Sequence, residues 1–332
     1  MKKTEKALQH GERKIFLSMP DDLSDLKFTQ EQKEFILRQL KTARQVSQQL
    51  NLRFLDTFSI DNFEREIAFF PVIAFPTHFE GEFQRLVINR TVRTDEKNVR
   101  LTDYTQLKYP PLKIEHKLPF NRASLKGQSV FYAGAGNLSS ILETRPELGD
   151  LYTVSKWRQK KDTLINHFPI FYHQAISDRP EFEKDWEHHN DFLKTLNPDV
   201  SEVVSEFLNF MTEVFIKKVN KDNKFGYMFS SLFSNYYLTR ALPQVHCIYY
   251  PSVASEYAAS NIACLPKTLD DYFECVDVKE CLCIYHNGSK QWLSRRIAEA
   301  RNINPKAVGE IEWELHISEE EYNNLKQAYN LI

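Results

Sequence analysis

Two consecutive apolar stripes at helical spacing constrain the fold of this chain more than any other feature. The segment NPDVSEVVSEFLNFMTEVFIKKV opens with Asn197 and Pro198, residue types that favour a helix N-cap and first turn. The segment FGYMFSSLFSNYYLTRALP repeats the period and ends at Pro243. The stripes are Val200, Val203, Val204, Phe207, Met211, Val214 and Phe215, then Phe225, Met228, Phe229, Leu232, Phe233, Tyr236 and Tyr237. A helix with such a face must bury it, so the sequence predicts two packed core helices.

Strand-like segments surround this helical pair. Alternating or β-branched and aromatic runs are FQRLVINRTVRT, SVFYA, VHCIYYPSVA and EIEWELHI. Further helices are expected in three places: FTQEQKEFILRQLKTARQVSQQL, with Thr29 and Gln32 at capping-box spacing, the segment QWLSRRIAEAR, and a helix capped at Ser318 with Glu321. The mixture predicts an α/β (α+β) fold.

Charge and hydropathy exclude several function classes. The net charge is −2, with acidic and basic residues mixed along the chain, so no basic surface for duplex nucleic acid or an anionic membrane is indicated. No apolar run is long enough to cross a bilayer, and no apolar segment follows the basic residues at the N-terminus. All five cysteines lie between Cys247 and Cys283, and an odd number fits free thiols. We expect a cytoplasmic protein.

Prolines suggest where the chain divides. The segment KYPPLKIEHKLPF reads as an extended linker, which places a boundary near residue 115. We expect an N-terminal mixed α/β region of unknown role at 1–115, a core domain at 116–275 and a C-terminal α/β extension at 276–332. Within the core domain, a helical insertion is expected at about 151–240.

A strand, a tight turn and a helix are predicted within SVFYAGAGNLSSILE. Val130 and Tyr132 share one face of the strand, and Pro146 stops a helix of about two turns. Backbone N–H groups pointing out of such a turn suit an anion. However, a Gly-Ala-Gly turn is not G-x-G-x-x-G, and no acidic residue follows at the Rossmann distance. Most such turns simply reverse the chain.

Three polar residues around this turn are candidates for a binding site. Arg122 is either a surface arginine or a bidentate clamp on phosphate. Tyr132 is either a half-buried core aromatic or a ring that faces a heterocycle while its hydroxyl meets a sugar or phosphate. Glu143 either decorates a helix or accepts hydrogen bonds from ribose hydroxyls and stabilises positive charge at an anomeric carbon.

A second motif follows at a distance. Ser252 ends the YPS element, and Asn261 begins an N-x-A-x-x-P segment. The order and spacing of these residues resemble the RES domain family. The matching features are an arginine, a tyrosine ten residues later in an FYAG strand and a glutamate eleven residues after that, followed by the YPS and N-x-A-x-x-P elements. The resemblance covers about residues 119–268.

The resemblance implies a compact α/β fold similar to that of ADP-ribosyltransferase toxins, with a cleft that binds NAD as substrate. It implies phosphorolysis with inorganic phosphate as co-substrate, releasing nicotinamide and ADP-ribose 1″-phosphate. Transfer of ADP-ribose to a protein, or a catalytically silent scaffold, are the alternatives. The expected partners are an antitoxin or other neutralising protein and a second copy in a homo-oligomer, without nucleic acid or membrane. The N-terminal region, the long insertion and the C-terminal extension all depart from a minimal toxin.

Roles carried over from the family fall on five residues. Arg122 would clamp a phosphate, Tyr132 would orient the nicotinamide ribose or ring, and Glu143 would support the developing cation. Ser252 would hydrogen-bond substrate or attacking phosphate, and Asn261 would bind NAD with Arg122 and Tyr132. No metal is expected, because Cys275, Cys281 and Cys283 with His246 or His286 have spacings that match no zinc ribbon or finger.

Overall fold

The computed structural model describes residues 27–49, 74–92, 98–111, 118–171, 180–219, 224–241, 244–288 and 291–329. It is a mixed α+β protein, as predicted. The boundary expected near residue 115, the helix end at Pro243 and much of the region 1–115 lie outside the described residues. The chain separates into two compact units. The first comprises the described residues within 1–74, 120–125 and 168–245, and the second comprises those within 75–119, 126–167 and 246–332.

Helices make up most of the first unit. They are α1 (Gln30–Gln49), α4 (Pro180–Thr195), α5 (Pro198–Ile216) and α6 (Met228–Thr239). At the start of α1 the capping box is confirmed, because Thr29 and Gln32 exchange backbone-to-side-chain hydrogen bonds of 2.9 and 3.2 Å. Asn197 caps α5, since its side chain accepts a hydrogen bond from the Asp199 amide at 3.0 Å.

The predicted stripes of α5 and α6 form the core of this unit. All seven stripe residues of α5 are buried, together with Phe210. On α6 the stripe is buried except at Tyr236, which is partly exposed, and at Phe225, which precedes α6 and whose side chain is not described. Phe207 and Phe233 meet edge to face with ring centroids 6.0 Å apart. Burying aromatic rings removes a large apolar area from water, which stabilises this helical layer.

The second unit carries a ten-stranded sheet, apart from the last two residues of β5. Its strands are β1 (Phe75–Thr77), β2 (Glu82–Ile88), β3 (Phe131–Ala135), β4 (Leu151–Gln159), β5 (Ile165–Pro169), β6 (Cys247–Pro251), β7 (Ser260–Cys264), β8 (Phe273–His286), β9 (Trp292–Ala300) and β10 (Trp313–Leu315). Their order across the sheet is β1-β5-β6-β7-β3-β2-β4-β8-β9-β10. The β6–β7, β7–β3, β3–β2, β2–β4, β4–β8 and β8–β9 pairs are antiparallel.

Short helices accompany the sheet. They are α2 (Asn89–Val92), α3 (Asn137–Thr144), α7 (Pro266–Tyr272) and α8 (Glu319–Tyr329). The expected cap of α8 is confirmed, because the Glu321 amide donates to the Ser318 hydroxyl at 3.1 Å. Among the helices that the structure describes, none is both long and apolar enough to cross a bilayer.

Two expectations about secondary structure are wrong. The segment QWLSRRIAEAR contains strand β9 instead of a helix, because it pairs along its length with β8. The insertion expected to be helical from about residue 151 begins with strands β4 and β5, and its first described helix starts at Pro180. Most side chains of β4 are buried, on both faces of the sheet, so the alternation typical of a half-exposed strand is weak.

The sheet also spans the expected C-terminal boundary. β8 runs from Phe273 to His286, so a division at residue 275 falls inside a strand. β2, from the region expected to be a separate N-terminal one, lies between β3 and β4. Residues from all three expected regions therefore contribute to one sheet.

Candidate active site

The Gly-Ala-Gly turn brings α3 close to strand β3. Gly136, which directly precedes α3, has a φ of 94°, a conformation that a residue with a side chain rarely adopts. A Cβ atom built on Gly134 would lie 2.6 Å from the Ser139 Cβ and 2.7 Å from its Oγ. Only glycine at position 134 therefore lets the first turn of α3 pack this closely on the strand.

The carboxylate of Glu143 is held at one of its two oxygens. Its Oε1 accepts a hydrogen bond of 2.7 Å from the Ser252 hydroxyl and one of 2.8 Å from the Asn261 Nδ2. Glu143 lies in the last turn of α3, Ser252 directly follows β6, and Asn261 lies in β7. Three residues selected from the sequence thus meet from three separate elements.

This cluster is buried at its base and open at its tip. Ser252 is fully buried and Asn261 is 6% exposed, whereas Glu143 is exposed. Among the described residues, no side chain or backbone group donates to Glu143 Oε2, and no cationic side chain forms an ion pair with this carboxylate. The carboxylate is therefore held through Oε1 alone, with no neighbouring cation in the described part of the chain to neutralise it.

A second set of hydrogen bonds supports these donors. Ser139 Oγ donates to Asn261 Oδ1 at 2.6 Å, and the Ser255 amide donates to Ser252 Oγ at 3.2 Å. The Ser252 carbonyl accepts from the Tyr257 amide at 2.8 Å, in a turn where Tyr257 has a φ of 66°. The turn after β6 is thereby fixed in one conformation. Ser139 is not part of the predicted motif, although its position four residues before Glu143 places both on one helix face.

Tyr132 lies on the face of the sheet that carries Asn261. In the β3–β7 register Gly134 is opposite Asn261 and Tyr132 is opposite Ala263. Because side chains two residues apart on a strand point to the same face, Tyr132 and Asn261 share that face. Tyr250 lies opposite Asn261 on β6, so two tyrosines flank this part of the sheet. The half-buried ring of Tyr132 is next to the cluster along β3.

Arg122 belongs to the first unit, where it contacts the end of α5. Its guanidinium donates to the backbone carbonyls of Phe215 and Lys217, and it lies 5.0 Å from the ring centroid of Tyr227. A cation at the C-terminal end of a helix satisfies carbonyls that have no partner within the helix. Its role as a phosphate clamp stays a prediction.

A second arginine, Arg85, contacts β3 and is not part of the predicted motif. Its Nη1 donates to the Tyr132 carbonyl at 3.0 Å, and its guanidinium lies 5.5 Å from the Phe131 ring centroid. Burial lowers the pKa of Arg85 to about 10. Gln84 is opposite Gly134, so Arg85 points to the other face of the sheet and stabilises β3 from beneath.

The cysteines are free, as expected. Burial raises the pKa of the Cys247 and Cys264 thiols, which lie opposite each other on β6 and β7. A protonated, buried thiol is a poor nucleophile. Within the described ranges, no group of three or more His, Cys, Asp or Glu side chains is arranged to hold a metal ion.

Comparison of the chain with protein-family models and with curated proteins gives no match.

Proposed function

We propose that this protein is an NAD-cleaving enzyme in which Glu143 acts at the nicotinamide ribose. The observation that carries the proposal is how its carboxylate is held: Oε1 accepts from Ser252 and Asn261, no described residue donates to Oε2, and Glu143 is exposed. Such a group suits a substrate that develops positive charge beside it.

The two donors to Glu143 are both uncharged, which matters for the chemistry. A lysine or arginine at the same distance would neutralise the carboxylate, whereas a hydroxyl and an amide orient it and leave its charge available. In the proposed reaction this charge stabilises an oxocarbenium-like ribose, and Oε2 accepts a hydrogen bond from a ribose hydroxyl.

The bond that breaks needs no general acid. The electron pair of the ribose C1–N bond passes to the positively charged pyridinium nitrogen, so nicotinamide leaves as a neutral molecule. A phosphate oxygen then forms the new bond to the anomeric carbon and gives ADP-ribose 1″-phosphate. Tyr132, on the sheet face that carries Asn261, orients the ribose or the ring, and Arg122 keeps its predicted role on a phosphate.

Hydrolysis and ADP-ribosyl transfer share this first step and differ only in whether water or a protein side chain replaces phosphate. Phosphorolysis is the reaction that the RES resemblance implies, and we propose it here. We further propose that the protein acts in the cytoplasm, as a toxin whose protein partner neutralises it.

The test is incubation of the purified protein with NAD, with and without inorganic phosphate, followed by mass spectrometry of the products. We expect phosphate-dependent release of nicotinamide with ADP-ribose phosphate. Glu143→Gln, which keeps an acceptor but removes the charge, should lower kcat by about 100-fold or more, as loss of an electrostatic contact in a transition state does. Glu80→Gln is the control, because Glu80 is an exposed glutamate of the same unit.

Two other results of this assay would change the proposal. ADP-ribose attached to protein without phosphate would replace phosphorolysis by transfer. If a folded protein leaves NAD intact under all conditions, the enzymatic proposal is overturned and the catalytically silent scaffold becomes the favoured alternative.

A further inference from the structure

We propose that Ser139, with Gly134 making room for it, is a positioning residue that orients the Asn261 amide towards Glu143. This inference rests on the proposed function of Glu143 for its effect on catalysis. Ser139 is fully buried and its hydroxyl donates to Asn261, while the donors to the carboxylate are Ser252 and Asn261, so Ser139 acts through Asn261.

The hydrogen bonds run in one direction through the cluster. Ser139 Oγ donates to Asn261 Oδ1 at 2.6 Å, and Asn261 Nδ2 donates to Glu143 Oε1 at 2.8 Å. The amide has an acceptor end and a donor end, and the serine occupies the acceptor end. The donor end is therefore directed at the carboxylate.

The alternative orientation of this amide is unfavourable. Turning it over would place Oδ1 against the Glu143 carboxylate, so that two oxygen acceptors would face each other without a proton between them. Without the Ser139 hydroxyl, Oδ1 would be a buried acceptor that has lost its donor, because Ser139 is fully buried and Asn261 is 6% exposed. The amide could then rotate, and Glu143 would lose a donor that fixes it.

Gly134 is the structural requirement for this arrangement. It lies opposite Asn261 in the β3–β7 register, and a Cβ on it would lie 2.7 Å from Ser139 Oγ. A side chain at position 134 would therefore push Ser139 away from the amide it orients. The same short helix supplies both the carboxylate and, one turn earlier, the serine that orients its partner.

The kinetic test uses Ser139→Ala, with Ser140→Ala as its matched control. Ser140 is the next residue of the same helix and is also buried. We expect Ser139→Ala to lower kcat for NAD about 10-fold, because small displacements of a positioned group are costly, while KM changes by less than about 3-fold. Ser140→Ala should keep both constants within about 2-fold of the parent, because the hydrogen bonds of Asn261 and Glu143 are made with other residues.

A double-mutant cycle tests whether Ser139 acts through Asn261. If it does, adding Ser139→Ala to Asn261→Ala causes no further loss of kcat, because the two residues form one unit. A loss in the double variant equal to the product of the two single losses would overturn the proposal.

A spectroscopic test separates this inference from the proposed function. The Asn261 side-chain NH₂ signal in a ¹⁵N-correlated NMR spectrum is assigned by its absence in Asn261→Ala. We expect Ser139→Ala and Gly134→Ala to shift or broaden this signal, and Ser140→Ala to leave it in place. These NMR measurements need no NAD, so they test the orientation of the Asn261 amide even if the parent protein does not cleave NAD. An unchanged Asn261 signal in Ser139→Ala and Gly134→Ala would rule out the positioning role.

Discussion

The Ser252 hydroxyl donates a 2.7 Å hydrogen bond to Glu143 Oε1 across a sequence separation of 109 residues. Ser252 is fully buried at the end of β6, and the carboxylate it contacts is exposed at the end of α3. This contact connects the turn after β6 to the helix after β3, and with Asn261 it fixes the geometry of the candidate site.

Replacing Ser252 by alanine should reduce both activity and stability. Glu143 would keep only its Asn261 donor, so we expect kcat for NAD to fall about 10-fold. The Ser255 amide would also lose its acceptor, which should lower the free energy of unfolding by about 1–3 kcal/mol. Urea denaturation of the full chain measures this second effect.

Ser260→Ala is the matched control for Ser252→Ala. Ser260 is fully buried as well, and its hydroxyl has no hydrogen-bond partner within the described part of the chain. Removing it should leave the free energy of unfolding within about 0.5 kcal/mol of the parent or raise it. Equal destabilisation by both substitutions would contradict the assigned contact.

Replacing Arg122 by alanine should destabilise the protein whatever its role in binding. The carbonyls of Phe215 and Lys217 would lose a charged donor at the end of α5, which should lower the free energy of unfolding by about 1–3 kcal/mol. Arg38→Ala, at an exposed arginine of the same unit, is the control. If Arg122 also clamps a phosphate, the folded variant should show a KM for NAD raised by about 10-fold or more. An unchanged KM for NAD would show that Arg122 only stabilises the end of α5 and does not bind a phosphate.

Glu280 should make stability fall as the pH rises. Burial raises the pKa of its carboxyl, and the paired Arg100, at 2.6 Å, opposes that shift only in part. The native state therefore binds this proton more tightly than the unfolded chain does. The contribution of the protonated Glu280 carboxyl to the free energy of unfolding is complete below pH 4.5, its usual pKa. This contribution is lost as the pH rises through the raised pKa.

The measurement is urea denaturation of the parent and Glu280→Gln at several pH values from about 4 to 8, which cover the usual carboxyl pKa and the range above it. The amide carries no charge to desolvate, so the difference in unfolding free energy should move in favour of Glu280→Gln as the pH rises. Parallel curves for the two proteins would show that Glu280 does not titrate in this way.

His167 should have the opposite influence. It is 1% exposed, and burial lowers its pKa to about 4, because the charged imidazolium is poorly solvated there. Stability from the neutral ring is complete above the usual pKa of 6.5 and is lost as the pH falls towards about 4. His167→Gln should remove this loss, because glutamine does not titrate. The free energy of unfolding of the variant should therefore fall less steeply than that of the parent as the pH is lowered below 6.5. A slope equal to that of the parent would contradict the prediction.

Local patterns predict α1, α3, α5, α6 and α8 and part of the site. The strand, turn and helix around Gly134 were visible because glycine and proline punctuate the chain, and capping residues marked the starts of α1, α5 and α8. The motif order grouped Glu143, Ser252 and Asn261, which the structure brings together. The helical spacing of Ser139 and Glu143 is also visible in the sequence, but the hydrogen bond from Ser139 to Asn261 depends on a strand far away in the chain.

Other features depend on pairing partners far away in the chain. Arginine and alanine favour helices, so the local composition around Arg295 and Arg296 predicts a helix, but pairing with β8 makes this segment a strand. Arg85 is placed by the register of β2 against β3, which no local pattern specifies. For the same reason the expected division into consecutive regions could not anticipate that β2 lies between β3 and β4.

The order of strands in the sheet has a consequence for the newly made chain. β3 pairs with β7, and the residues that join them in sequence number more than a hundred. Because synthesis proceeds from the N-terminus, Glu143 leaves the ribosome well before its two donors exist. Closing so long a loop is entropically costly and slow, so the carboxylate stays unoriented until β6 and β7 have been added to the sheet. Nascent chains that stop before Asn261 would therefore lack a formed site.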